Sequence, residues 1–200
     1  MTARDPAAIR AFFGPRAADW EARTAVDLLQ IERAVADCAL PAGARVLDVG
    51  CGTGRAVPAL RAAVGAAGQV LALDLTPEML HAALAAGRGA LAQFVVADVH
   101  RLPLADGSVD AIHAQGILPH LADPAAALHD WARVARPRAG LAVFHAIGRV
   151  ALAAIHRRTP SDDDVLAAGR LAALLAATGW RLESIDDAPE RYLARARRCA

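Results

Sequence analysis

The chain has 200 residues, 22 Lys+Arg against 21 Asp+Glu, a formal net charge of +1, 56% hydrophobic residues and 4% aromatics. That length suits one domain with a sizeable core, the near-neutral charge gives no basic field for nucleic acid, and so few aromatics leave no base-stacking platform. Three scattered cysteines, Cys38, Cys51 and Cys199, point to a reducing cytoplasm and away from a disulfide framework or a CxxC metal site.

In chain order, Met1–Pro6 lacks the apolar stretch of a secretory leader. Residues 7–14 and 19–39 predict helices separated by Gly14-Pro15, the second with Val26, Leu29, Ile31 and Val35 among charged positions. If these helices cap the carboxyl edge of a sheet, Phe12, Phe13, Arg16, Asp19 and Trp20 are placed to face a ligand. Arg45-Val46-Leu47-Asp48-Val49 predicts a buried strand, followed by Gly50, Gly52 and Gly54 and a helix over 55–64. Strand, glycine loop and helix open a nucleotide-binding βαβ unit. Free N–H groups at that helix start would favour electron-rich ligand groups.

The spacing separates two ligands. A dinucleotide loop follows G-x-G-x-x-G/A, whereas here Arg55 holds the last position. Asp48, two residues before the loop, would repel a pyrophosphate and suits a cationic ligand. Residues 68–73 predict the second strand, ending at Asp74, with Thr76 as helix N-cap and Pro77 first in the helix. Asp74 is placed to accept two ribose hydroxyls. Residues 91–97 predict the third strand, ending at Asp98, where a carboxylate can accept from an adenine amino group while Leu75 and Val99 sandwich the ring. Residues 109–114 predict the fourth strand. A helix over 124–134, a turn at 137–140, a fifth strand over 141–145, a helix from the acidic run at 161–164 to Ala177 and an antiparallel pair over 180–185 and 192–197 follow. The longest apolar stretch, 140–155, is broken by His145 and Arg149 and is too short to span a bilayer.

Asp48-Val49-Gly50-Cys51-Gly52-Thr53-Gly54, Ala97-Asp98, Leu102-Pro103-Leu104, Asp106-Gly107-Ser108-Val109-Asp110 and Leu118-Pro119-His120-Leu121 together resemble class I S-adenosylmethionine (SAM)-dependent methyltransferases of the small-molecule, ubiquinone/menaquinone type. The resemblance covers roughly residues 45–145. It implies an α/β fold: a Rossmann-like, doubly wound, mostly parallel seven-stranded sheet with a C-terminal antiparallel hairpin and helices on both faces. It implies a single domain over 1–200, with 1–40 as a helical cap and 45–200 as the core. It implies SAM as cofactor, held by Asp48, Gly50, Cys51, Gly52, Asp74, Leu75, Asp98 and Val99, with Gln115 near the methionine end. The partner is a small-molecule methyl acceptor, with no nucleic acid, membrane or metal involved.

Methyl transfer from a sulfonium needs alignment and water exclusion, and a base only where the acceptor must lose a proton. The chain has no lysine, which leaves histidines: His145 and His120 as the catalytic candidates, and His113, which sits within a strand and suits packing better. The Gln115-Gly116-Ile117-Leu118 segment lacks the Asn/Asp-Pro-Pro-Tyr/Phe of amino-methylating enzymes. Arg149, Arg157 and Arg158 lie where relatives shape the acceptor pocket and offer a site for an anionic acceptor, or a solvated loop. The alternatives are an NAD(P)-binding oxidoreductase and a non-catalytic SAM-binding protein.

Overall fold

The computed structural model describes residues 5–24 and 27–200. Val26 and the first four residues, for which the sequence raised expectations, lie outside them. Seven strands form one sheet: β1 (Arg45–Val49), β2 (Gln69–Asp74), β3 (Gln93–Val96), β4 (Val109–Gln115), β5 (Ala135–His145), β6 (Trp180–Ala188) and β7 (Arg191–Arg198). Their order is β3-β2-β1-β4-β5-β7-β6. β1 to β5 are parallel, and β7 lies antiparallel between β5 and β6. The order reverses between β1 and β4, and ligands bind such sheets outside the carboxyl ends at that switch. This is the doubly wound sheet with a reversed final pair that the resemblance implies.

Alternate side chains of β1 serve two cores. Leu47 and Val49 join Trp131 of α6 (Pro124–Val134), Leu171 and Leu175 of α8 (Ala168–Ala177) and Trp180. Val46 joins Ile31 and Val35 of α3 (Leu28–Asp37) and Leu60 and Val64 of α4 (Val57–Val64). A parallel strand covered on both faces needs such a continuous apolar run. β3 is the exception: its apolar run lies at the sheet edge, with Val95 and Val96 exposed. The polar tips of the buried tryptophans and tyrosine are satisfied. Trp180 Nε1 donates to Leu128 O at 3.0 Å, Trp131 Nε1 to Val99 O at 2.8 Å and Tyr192 OH to Leu166 O at 2.8 Å. Trp180→Phe is expected to cost about 1–2 kcal/mol, by removing one buried hydrogen bond and some ring volume. Urea unfolding checks it, and an unchanged midpoint contradicts it.

Several boundaries differ from the sequence expectation. The helix expected over 19–39 is two, α2 (Trp20–Thr24) and α3. Glu21 and Asp27 both reach the glycine-loop segment, through Thr53 and Arg55. In one continuous helix residues six apart would diverge by roughly 120° around the axis. The helix after the glycines starts at Val57, because residues 52–56 form turns. Thr76 occupies the N-cap position of α5 (Pro77–Ala85), but its side chain makes no capping bond. The turn expected at 137–140 is absorbed into β5 as a bulge: Val109 pairs with Ala135 and Ala111 with Gly140, and Arg138 takes φ +66°. The helix expected from 161 starts only at Ala168. Ser161 N donates to Asp164 Oδ2 and Asp163 N to Ser161 Oγ, local bonds that compete with helix formation. An unexpected helix, α7 (Arg149–Ile155), follows β5.

Candidate active site

The chain leaves β1 at Gly50 with φ +64°, a conformation that favours glycine. A Cβ at Gly50 would sit 2.2 Å from Ile117 Cδ1, so a side chain there would also have to displace Ile117. At Gly52, φ +55°, a Cβ would meet nothing within 4 Å: the backbone there faces open space that a ligand can approach. The expectation of free N–H groups at the helix start needs correction: Val57 N donates to Gly54 O at 3.0 Å and Pro58 has no N–H, and N–H groups of the loop before it are engaged too. Cys51 N donates to Leu73 O at 2.9 Å, Gly52 N to Asp74 Oδ2 at 2.8 Å and Gly54 N to Cys51 O at 2.8 Å. The end of β2 thus braces the loop.

The nine expected cofactor residues and the two catalytic candidates line one cavity of about 560 Å³: Asp48, Gly50, Cys51, Gly52, Asp74, Leu75, Asp98, Val99 and Gln115, with His120 and His145. Its volume lies within the range of pockets for small organic ligands. Three of these residues are carboxylates, from β1, β2 and the turn after β3.

The three carboxylates are held differently. Asp48 pairs across the sheet with His113 in direct register. His113 Nδ1 lies 3.0 Å from Asp48 Oδ1, while Asp48 Oδ2 is buried without a hydrogen-bond partner. His113 does not line the cavity, so its place is beside Asp48 and it is no base candidate. Asp74 also accepts from Thr76 N at 2.8 Å. Burial pushes the Asp74 carboxyl up, against the backbone bonds from Thr76 and Gly52. Asp98 accepts from His100 N at 2.9 Å and faces His100 Nδ1 at 2.7 Å. Burial raises its carboxyl, but the His100 bonds outweigh this and hold it below the ordinary range. Burial, with Asp48 and Asp74 nearby, pushes the Cys51 thiol well up, so it stays protonated.

The helices before β1 cover the site. Ile9 and Phe13 of α1 (Pro6–Phe13), Trp20 and Asp27 line the cavity, whereas Phe12, Arg16 and Asp19 do not. Arg10 Nε donates to Leu75 O at 3.0 Å. Glu21 accepts from Thr53 Oγ1 and from Arg88 at 2.8 and 3.2 Å, and Arg88 donates to Thr53 O at 2.7 Å. Burial raises Glu21, but Arg88 and Thr53 outweigh it and keep the carboxyl low. Glu21 is partly solvated, so Glu21→Gln is expected to cost only about 0.5–1 kcal/mol in urea unfolding; an unchanged stability contradicts that.

Sequence reasoning missed Ile9, Ile147, Leu152 and Ile155, which also line the cavity. Ile9 and Phe13 are four apart on one helix face, a spacing that signals a shared wall. Arg149 donates to Ser161 O at 2.9 Å and lies 3.8 Å from Asp164. Neither it nor Arg157 or Arg158 lines the cavity, which favours the solvated-loop alternative over an anionic-acceptor site.

A family described as "Methyltransferase domain" matches residues 47–143. The chain is 36% identical over 155 residues to a malonyl-[acyl-carrier protein] O-methyltransferase of Laribacter hongkongensis, covering 72% of this chain and 52% of that protein. It is 40% identical over 108 residues to a demethylmenaquinone methyltransferase of Roseiflexus sp., covering 54% and 45%. The chain thus spans about half the length of these curated relatives. A crystal structure of a SAM-dependent methyltransferase from Aquifex aeolicus superposes with a TM-score of 0.71 at 25% identity, covering 97% of this chain and 98% of that one. Each of these three proteins is described as a methyltransferase.

Proposed function

We propose that this chain, which carries a methyltransferase domain over residues 47–143 and has the fold of SAM-dependent methyltransferases, transfers a methyl group from SAM to a small-molecule acceptor. The observation that carries the proposal is the convergence of Asp48, Asp74 and Asp98 with the glycine loop on one cavity. SAM, when bound, supplies an activated methyl group and a neutral leaving group. The residues present fit it. Asp48 Oδ2, buried and unpartnered, suits the cationic amino group. Asp74 suits the ribose diol and Asp98 the adenine amino group, with Leu75 and Val99 against the ring and Gln115 at the methionine end. Gly50, Cys51 and Gly52 let the backbone approach. Phe13 and Trp20 exclude water. His145 and His120 are the acid/base candidates.

Residues 1–200 are read as one domain with 1–40 as its cap, working in a reducing cytoplasm in keeping with three unlinked cysteines. Among the described residues, no helix is long and apolar enough to cross a membrane. Calorimetric titration tests the proposal: S-adenosylhomocysteine (SAH) is expected to bind at one site and NAD⁺ to give no signal. Binding of NAD⁺ alone overturns it.

A further inference from the structure

Resting on the proposed methyl transfer, the remaining walls of the cavity define what acceptor it takes. On the side of α1 and α7, the lining is supplied by Ile9 and Phe13 of α1 and by Leu152 and Ile155 of α7. Among the described residues, the one arginine on the cavity is Arg55, ion-paired with Asp27 at 3.4 Å. An anionic acceptor would therefore meet four carboxylates, Asp27 among them, and a single arginine already paired with one of them. A cationic acceptor would have only apolar wall on the α1 and α7 side.

On this cavity sits His145, at the last position of β5. Its alternation along the strand turns it to the same side as Leu141 and Val143, opposite Tyr192 of β7. It is 5% exposed, and its Nε2 is buried without a hydrogen-bond partner. A buried polar atom left without a partner is a cost that a ligand can relieve. We propose that the methyl acceptor is an uncharged, largely apolar molecule bearing a hydroxyl group, and that this hydroxyl donates its hydrogen bond to His145 Nε2.

Burial pushes the His145 imidazole down to about 3, with His120 and His156 adding to the effect. At neutral pH the ring is therefore uncharged, and its Nδ1–H tautomer leaves Nε2 free to accept. So weak a base does not strip a phenol beforehand; it aims an oxygen lone pair. The oxygen forms its bond to the methyl carbon, and the carbon–sulfur bond breaks with its electron pair left on sulfur. The hydroxyl proton then sits on an oxonium, a far stronger acid than an imidazolium. His145 Nε2 takes it at that stage and passes it to water.

Calorimetry on the whole chain saturated with SAH tests this with four matched probes: 2-naphthol, naphthalene, 2-naphthoate and 2-naphthylmethylammonium. 2-Naphthol is expected to bind about tenfold more tightly than each of the others. His145→Phe should erase its advantage over naphthalene, and His145→Gln, which keeps an acceptor, should retain part of it. A charged probe binding as tightly as 2-naphthol, no probe binding, or a naphthol preference that survives His145→Phe overturns the proposal. Failure of SAH itself to bind would instead sink the methyltransferase reading, so the two are told apart.

Discussion

Asp74→Ala is expected to weaken SAH binding by about 100-fold or more, close to 3 kcal/mol. The carboxylate already accepts from Gly52 N and Thr76 N, each at 2.8 Å. Each oxygen keeps a further lone pair for a ribose hydroxyl. Hydrogen bonds to a charged group contribute about 1.5–3 kcal/mol each, so loss of two accounts for the effect before the loop relaxes. The alanine also removes the acceptor that fixes Gly52 N, so the glycine loop loses its brace. Asp74→Asn, which keeps one carbonyl acceptor, should lose less. Calorimetry on folded variants checks this, with circular dichroism as control; an affinity within about threefold of the parent counts heavily against Asp74 as the ribose ligand.

The second large effect is acid destabilisation through His145. Its imidazole falls from an ordinary 6.5 to about 3 in the folded chain, chiefly by burial. The native state holds it neutral, while the unfolded state takes up a proton below about 6.5. A depressed native value therefore gives stability that is fully present above pH 6.5 and is lost as pH falls toward about 3. Between pH 7 and pH 4 the loss from this residue is about 3 kcal/mol. His145→Phe, apolar and non-titrating, is expected to remove that share of the acid dependence, while carboxylates common to both proteins contribute equally. Urea unfolding at the two pH values reads the difference, and parallel pH slopes for parent and variant contradict it.

The glycine loop and the acids at the carboxyl ends of β1, β2 and β3 were legible because local rules govern them: strand periodicity, positive-φ glycines and the carboxyl ends of parallel strands. The cavity gathers Gly50, Cys51 and Gly52 of the loop and all three acids. What local pattern could not give is pairing across the sheet. Nothing within 109–115 says that His113 stands opposite Asp48; that follows from the β1–β4 register. The depth of His145 was hidden for a related reason. A strand-end histidine reads as exposed until Tyr192 of β7 is found packed beside it. α7 was missed because a short Ala-rich run gains its helical stability from packing rather than propensity. The bulge at Arg138 was hidden because Pro137 and Gly140 are turn residues wherever they occur.

A crystal structure of the chain with SAH bound tests the central claim most directly. The account predicts the ribose hydroxyls on Asp74, the amino group on Asp48 and the adenine amino group on Asp98, each at about 2.7–3.2 Å. SAH found outside this cavity, or seated in it with those three carboxylates turned away, would contradict it.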